Sequence, residues 1–401
     1  MSISQEAISR RATQGRVASP SVASGLEPNP QPVERVSTLE LFFDLVFVFT
    51  ITQLTTVLTH ELSWSSFGQV VLMLGVIWWM YDGYAWLTNA VSTRAVAPRA
   101  VLLGGMAGYL ILALAIPGAF EGSGLSFGLA YAVVVVVHAT LYVRMASDRS
   151  AAAIRGIVPF NLASAALVVL GGALGGTPQA VLWTAAVVLE WITPRLAGRG
   201  ESQQDFEIAP AHFVERHGLV IIVAIGESVV AIGIGAAGLD VDAELVLVAI
   251  LGLLVAAGLW WAYFGADDDE QAERALTEAT APERPWMALH GFGMAHFFLL
   301  LGIVLVAVGL KKATGHAYDE LTYAQALALG GGVAVFLAAD VAFRRVLRLG
   351  RSPHRTAAAI AALATIPVGA EVAAVAQIGV LAAVLAVALA GERVGSLEEA
   401  R

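Results

Sequence analysis

The sequence predicts an all-α polytopic membrane protein with about twelve transmembrane helices, and three observations lead to this fold class. The 401-residue chain is 58% hydrophobic and only 14% charged, whereas soluble domains have about 25% charged residues. Its apolar residues form a series of segments whose lengths are close to the roughly 20 residues that a membrane-spanning helix needs. Its basic residues fall almost entirely in alternate loops between these segments. Lipid is therefore the expected solvent for much of the surface.

Twelve apolar segments follow a polar amino-terminal stretch. The last two are short and are separated only by Gly369-Ala370-Glu371, so they are also compatible with one broken or re-entrant element. The predicted number of spans is therefore ten to twelve, with twelve preferred. The segments cover residues 41–59, 67–88, 100–119, 125–145, 154–173, 178–195, 217–238, 243–265, 287–310, 322–346, 355–370 and 373–391.

The arginines test this count and orient the spans. With twelve spans and a cytoplasmic amino terminus, all 21 arginines fall on the cytoplasmic side. Only Lys311 and Lys312 then lie on the other side. Cytoplasmic loops of membrane proteins are enriched in basic residues. The distribution therefore predicts that both termini are cytoplasmic.

Short motifs recur at a nearly constant offset and predict two tandem six-helix halves. Val33-Glu34-Arg35 recurs as Val214-Glu215-Arg216, each before a predicted span. Trp78-Trp79-Met80-Tyr81 recurs as Trp260-Trp261-Ala262-Tyr263 in the second span of each half. Because six is even, the halves are expected in parallel orientation. The predicted organisation is a disordered cytoplasmic tail (1–38), a first six-helix half (39–196), a cytoplasmic linker (197–216), a second six-helix half (217–391) and a cytoplasmic tail (392–401).

The first span contains polar residues that a bilayer tolerates poorly. Glu40 and Asp44 lie one helical turn apart on one face, and Gln53 follows in the same span. A charged side chain at the centre of a membrane helix costs roughly 2.5 kcal/mol or more. Two interpretations stay open. One is a polar face that binds a cation, a proton or a substrate amine, and the other is a structural clasp between Asp44 and an arginine.

A second set of polar residues lies at the start of the seventh predicted span and within it. Glu215-Arg216-His217 is expected at its cytoplasmic mouth, where Arg216 can pair with Asp44 or Glu40. Glu227-Ser228 lies deeper, about 16 Å from Arg216 along a helix axis. Glu227 therefore needs a partner from another helix.

Asp82 lies near the end of the second span among tryptophans. Trp78, Asp82 and Trp86 share one helix face, and a carboxylate lined by aromatic rings suits cation binding. Tryptophans also form belts at membrane interfaces. We therefore expect an interfacial belt for the tryptophans and a functional role for Asp82. Other polar residues expected to be buried are His138, Glu190, His290, His296, Asp340 and Glu371.

Other features of the sequence argue against several protein classes. The chain has no cysteine, which excludes disulfides and thiolate metal sites. It has no nucleotide-binding, serine-hydrolase or zinc-protease motif, and no basic patch that indicates nucleic-acid binding. We therefore expect no cofactor, no metal site and no enzymatic activity. The acidic run Asp267-Asp268-Asp269-Glu270 is expected to be a solvated turn before a short surface helix.

Two of these segments resemble the signatures of one bacterial family. They are Leu39-Glu40-Leu41-Phe42-Phe43-Asp44-Leu45-Val46-Phe47-Val48, and Glu215-Arg216-His217-Gly218 followed by Gly226-Glu227-Ser228. The chain resembles the low temperature requirement protein A (LtrA) family over about residues 35–390. This resemblance implies a multi-pass protein of the bacterial inner membrane without a settled activity. Phe42-Phe43-Asp44 also looks, more weakly, like the Phe-Ser-Asp opening of transmembrane-protein-175-type potassium channels, without the serine.

Three functions stay open at this point, and all of them have the lipid bilayer as a partner. The first is a proton- or cation-coupled secondary transporter of a small solute or ion, with Asp44, Asp82 and Glu227 near the path. The second is an ion channel, which predicts a continuous axis between the halves. The third is a non-transporting scaffold or intramembrane enzyme, which predicts closed clasps without a cavity.

Overall fold

The computed structural model describes residues 35–91, 95–197, 206–265 and 268–399, and all regular structure in these ranges is helical. Eleven of the helical segments described are long and apolar enough to cross a membrane. The predicted all-α polytopic class is therefore confirmed. Below, the first half denotes the helices up to residue 197 and the second half those from residue 210, as positions along the chain. The first half comprises α1 (Thr38–His60), α2 (Trp64–Ala90), α3 (Val96–Ala115), α4 (Gly124–Met145), α5 (Asp148–Leu174) and α6 (Gly176–Ala197).

The second half has extra helical elements between its spans. A π-helical segment (Ala288–Ala295) leads directly into α11 and changes the helical register there. The α-helices are α7 (Pro210–Gly235), α8 (Ala243–Phe264), α9 (Asp268–Glu278), α10 (Glu283–Met287), α11 (His296–Ala313), α12 (Tyr323–Val346), α13 (Pro353–Ala364), α14 (Ile366–Glu371) and α15 (Ala374–Glu399).

The expected eleventh span is divided between α13 and α14. Pro367 lies at the start of α14, and a proline cannot donate the backbone hydrogen bond that would continue α13. The two helices together lie along α12. At one end Arg355 contacts Asp340 of α12, and at the other the backbone N–H of Leu321 donates to Gly369. The break therefore falls inside the expected eleventh span, and the expected twelfth span forms the separate helix α15.

The same helix pairs pack in each half. In the first half α1 packs on α3, α3 on α4, α4 on α5, α5 on α6, and α2 on both α4 and α6. In the second half the corresponding helices α7, α8, α11, α12, α13 and α15 form the same pairings. Between the halves, α1 and α2 pack against α7 and α11.

Two expected boundaries differ in the structure. α7 begins at Pro210, so residues 210–216 belong to the helix and not to the expected linker. Proline is favoured in the first turn of a helix because its missing N–H would be unpaired there anyway. Residues 392–399 continue α15. The expected tail at 1–34, the linker at 198–205, Asp267 and residues 400–401 lie outside the described residues.

Candidate functional site

A buried ion pair joins α1 of the first half to α7 of the second. Asp44 Oδ1 lies 3.1 Å from Arg216 Nη2, and Asp44 Oδ2 lies 3.5 Å from Nη1. The Tyr81 hydroxyl donates to Asp44 at 2.6 Å. The guanidinium carbon lies 5.6 Å from the ring centres of both Phe43 and Tyr81. Both charged side chains are 1% exposed, so this pair is shielded from solvent.

Glu40 lies at the edge of this pair, where α1 begins. It forms a capping box with Ser37, which explains why the helix starts here. Its other carboxylate oxygen lies 3.1 Å from His212 Nε2. Asn89 of α2 accepts from the Ala209 N–H at 2.8 Å and lies 3.3 Å from His212 Nδ1. These contacts fix the first turn of α7 against α1 and α2.

A second charged pair joins α2 to α7. His217 Nε2 lies 3.1 Å from Asp82 Oδ1, and His217 Nδ1 lies 2.8 Å from the carbonyl oxygen of Phe213. A neutral imidazole has only one N–H. A neutral ring therefore donates to only one of these two oxygens. Both contacts become hydrogen bonds when the ring carries a proton on each nitrogen, or when Nδ1 donates to Phe213 and the Asp82 carboxyl group donates to Nε2.

His296 continues this polar chain within the second half. Its Nδ1 lies 3.0 Å from the carbonyl oxygen of Gly291, and its Nε2 lies 2.8 Å from the Tyr263 hydroxyl. This arrangement fits a neutral ring that donates through Nδ1 and accepts from the tyrosine. The ring centre lies 5.4 Å from that of His217. Trp78 completes the contact by donating its indole N–H to Gly293 at 2.6 Å.

A cavity of about 410 Å³ lies beside Asp82. Its walls come from α2, α4, α5, α6, α10 and the π-helical segment. A small void of about 10 Å³, lined in part by Gly75, Trp78 and Phe297, continues past Asp82. This volume is close to that of a single water probe. Asp82 is thus shared between the cavity and the His217 pair.

Glu227 occupies a separate place beside Thr52 of α1, about two helical turns from Asp44. It accepts from the Thr52 hydroxyl at 2.5 Å, so a neighbouring helix supplies the partner that its burial requires. An open depression of about 380 Å³ lies further along α1, lined in part by Thr59 and Lys311, which hydrogen-bond at 3.2 Å. Glu227 therefore lies toward the end of α1 that is remote from Asp44.

The sequence-predicted residues thus divide into two sets. Glu40, Asp44, Asp82, Arg216 and His217 come together at the interface between the halves. The others lie elsewhere. Gln53 is half-buried, Glu215 is exposed and accepts from the Val36 N–H, and the buried Ser228 hydroxyl has no hydrogen bond within the described ranges.

Three expectations about individual residues are wrong. Trp78 does not lie in an interfacial belt, because it is 4% exposed and packs among buried histidines. Asp268 is not in a solvated turn, because it is 2% exposed and pairs with Arg344, although the short helix expected after it is present as α9. Glu371 is exposed and accepts from the Tyr323 hydroxyl.

A further ionic cluster in the second half was not predicted as a unit. Arg355 donates at 2.6 Å to both Asp340 and the Ala262 carbonyl oxygen, and at 2.9 Å to Glu392. Arg344 pairs with Asp268 in the same region. These contacts join α8, α9, α12, α13 and α15. Because its acidic and basic groups pair with each other, this cluster has the character of a structural clasp.

Comparisons with known proteins agree with this architecture. The family described as bacterial low temperature requirement A protein (LtrA) matches residues 35–390, which is most of the chain. The uncharacterized protein RA0937 of Rhizobium meliloti (strain 1021) is 30% identical over 322 residues, covering 78% of this chain and 78% of that protein. The resemblance of the two signatures is therefore confirmed, and the chain belongs to the bacterial low temperature requirement A (LtrA) family.

Proposed function

We propose that the chain is a proton-coupled secondary transporter of the bacterial inner membrane, with both termini cytoplasmic and no enzymatic activity. The observation that carries this proposal is the position of Asp82. Its carboxylate lines a cavity large enough for a small solute and also contacts His217, which belongs to the other half. A solute in the cavity and a proton on the pair therefore act on one carboxylate.

Two features favour transport over the alternatives. A non-transporting scaffold predicts clasps without a cavity. The Asp44–Arg216 pair and the Arg355 cluster fit that description, whereas Asp82 lines a cavity. A channel predicts a continuous polar axis, but Phe47, Trp78 and Tyr81 form a buried aromatic layer beside the Asp44 pair. The shared helix pairings support the tandem duplication, and depressions at both ends suit alternating access between the two halves.

Proteoliposomes containing the full chain and a pH-sensitive dye test this function. A panel of small metabolites is added outside, and internal pH is recorded. We expect at least one solute to drive proton movement, and we expect Asp82→Asn and His217→Gln to abolish it. His316→Ala is the matched control, because this exposed histidine also lies beside an aspartate, Asp319. The proposal is wrong if no solute moves protons, or if both site variants behave like the control.

A further inference from the structure

Six tryptophan, tyrosine and phenylalanine side chains line the cavity beside Asp82. Its volume of about 410 Å³ lies within the roughly 300–1,000 Å³ that is usual for small-molecule sites. Four of the nine tryptophans of the chain contribute to it. Rings of this kind attract cations through their negative faces, most strongly for tryptophan. The aromatic lining residues are Trp79, Trp86, Trp191, Trp286, Tyr142 and Phe206.

Two buried groups in the cavity wall offer hydrogen-bond acceptors. One is the Asp82 carboxylate. The other is His138, which is 1% exposed and whose Nε2 lies 3.0 Å from the Gly83 carbonyl oxygen. That contact places the ring proton on Nε2 and leaves Nδ1 as an acceptor. Nδ1 is buried and has no hydrogen-bond partner in the part of the chain that the structure describes. A ligand that donates N–H groups would satisfy it.

The basic side chains Arg195 and His290 in the cavity wall are less buried than Asp82. Arg195 lines it but is exposed, so its charge is in contact with solvent. His290 is half-buried and uses Nδ1 to contact the Trp286 carbonyl oxygen at 2.9 Å. The Asn161 carbonyl oxygen accepts from the Trp79 indole at 3.0 Å. The buried side chain with a formal charge in this wall is therefore the acidic Asp82.

We propose that this cavity binds a protonated primary or secondary amine that has an aromatic or apolar body. The ammonium group donates to Asp82 and to His138 Nδ1, and the body packs against the tryptophans. This inference rests on the proposed transport function, for which it names the substrate class. The Asp82 carboxylate in the buried wall supplies the negative charge that compensates the ammonium ion.

A binding titration of the purified full chain tests the substrate class without requiring transport. The probes are 2-phenylethylamine, the neutral 2-phenylethanol of the same shape, and the anion 3-phenylpropionate. Tryptophan fluorescence is the readout, because four tryptophans line the cavity. We expect the amine to bind about tenfold more tightly than the alcohol, since a charge-assisted contact is worth more than a neutral one. Asp82→Asn should remove this preference.

A second variant keeps the test decisive if Asp82→Asn does not fold. Trp286→Ala removes an aromatic wall at a half-exposed position and should weaken amine binding about 3- to 30-fold. The control is Trp64→Ala, because Trp64 is 79% exposed and lies at the end of α2 that is remote from Asp82 and the cavity. Equal binding of amine and alcohol by the wild type, or unchanged binding by Trp286→Ala, overturns the inference. Amine binding without any solute-driven proton movement contradicts the transport proposal alone.

Discussion

Breaking the Asp44–Arg216 pair should destabilise the protein far more than breaking an exposed pair. Asp44→Asn retains an oxygen that can accept from Tyr81, but it leaves the buried guanidinium without a counter-charge. Removing one partner of a buried pair costs about 3–5 kcal/mol, because the remaining charge stays desolvated. Arg216→Met should cost a similar amount, because it leaves the buried Asp44 carboxylate without a counter-charge. The double variant should cost less than the sum of the two, because it leaves no uncompensated ion.

Unfolding of the wild type, both single variants and the double variant in one detergent gives the coupling free energy directly. The control pair is Arg348 and Glu283, which lie 2.8 Å apart with side chains 71% and 39% exposed. Such a surface pair is worth about 0–1 kcal/mol. The reasoning fails if Asp44→Asn costs no more than Glu283→Gln. It also fails if the effects at Asp44 and Arg216 are additive within about 0.5 kcal/mol.

Two further pairs of variants test the packing inside each half. Gly172→Ala places a methyl group against the backbone of the facing helix at Gly124 and should lower the free energy of unfolding by about 1–3 kcal/mol. Gly156→Ala in the same helix meets open space and should raise the free energy of unfolding by about 0.5–1 kcal/mol. Equal thermal shifts for the two glycine variants would show that the close approach of the helices does not matter. Arg355→Met should cost about 3–5 kcal/mol, measured as a lower unfolding temperature in detergent, and a shift similar to that of Arg348→Met would show that the Arg355 cluster does not act as a clasp.

Several features were predictable from the sequence because their energetic cost is local. The apolar lengths give the spans, and the cost of a membrane charge singles out Asp44 and leads to Arg216 as its partner. The Asp82–His217 contact was not predictable, because it depends on how α2 and α7 pack across 135 residues of sequence. His296 was expected to be buried, as it is, but its position beside His217 was not predicted. The i→i+5 hydrogen bonds of the π-helical segment shift the register, so an α-helical projection does not place this ring correctly.

The ionic contacts between the halves, within the described residues, converge on one helix. α7 supplies His212 to α1, Arg216 to α1 and His217 to α2, so three ionic contacts from the second half meet two helices of the first. The Arg355 cluster, in contrast, joins helices within the second half and keeps that half together. The Asp82–His217 contact therefore belongs to the interface between the halves and shares no residue with the Arg355 cluster. The transport function that we propose requires this separation, since in alternating access the halves rearrange against each other while each keeps its own packing.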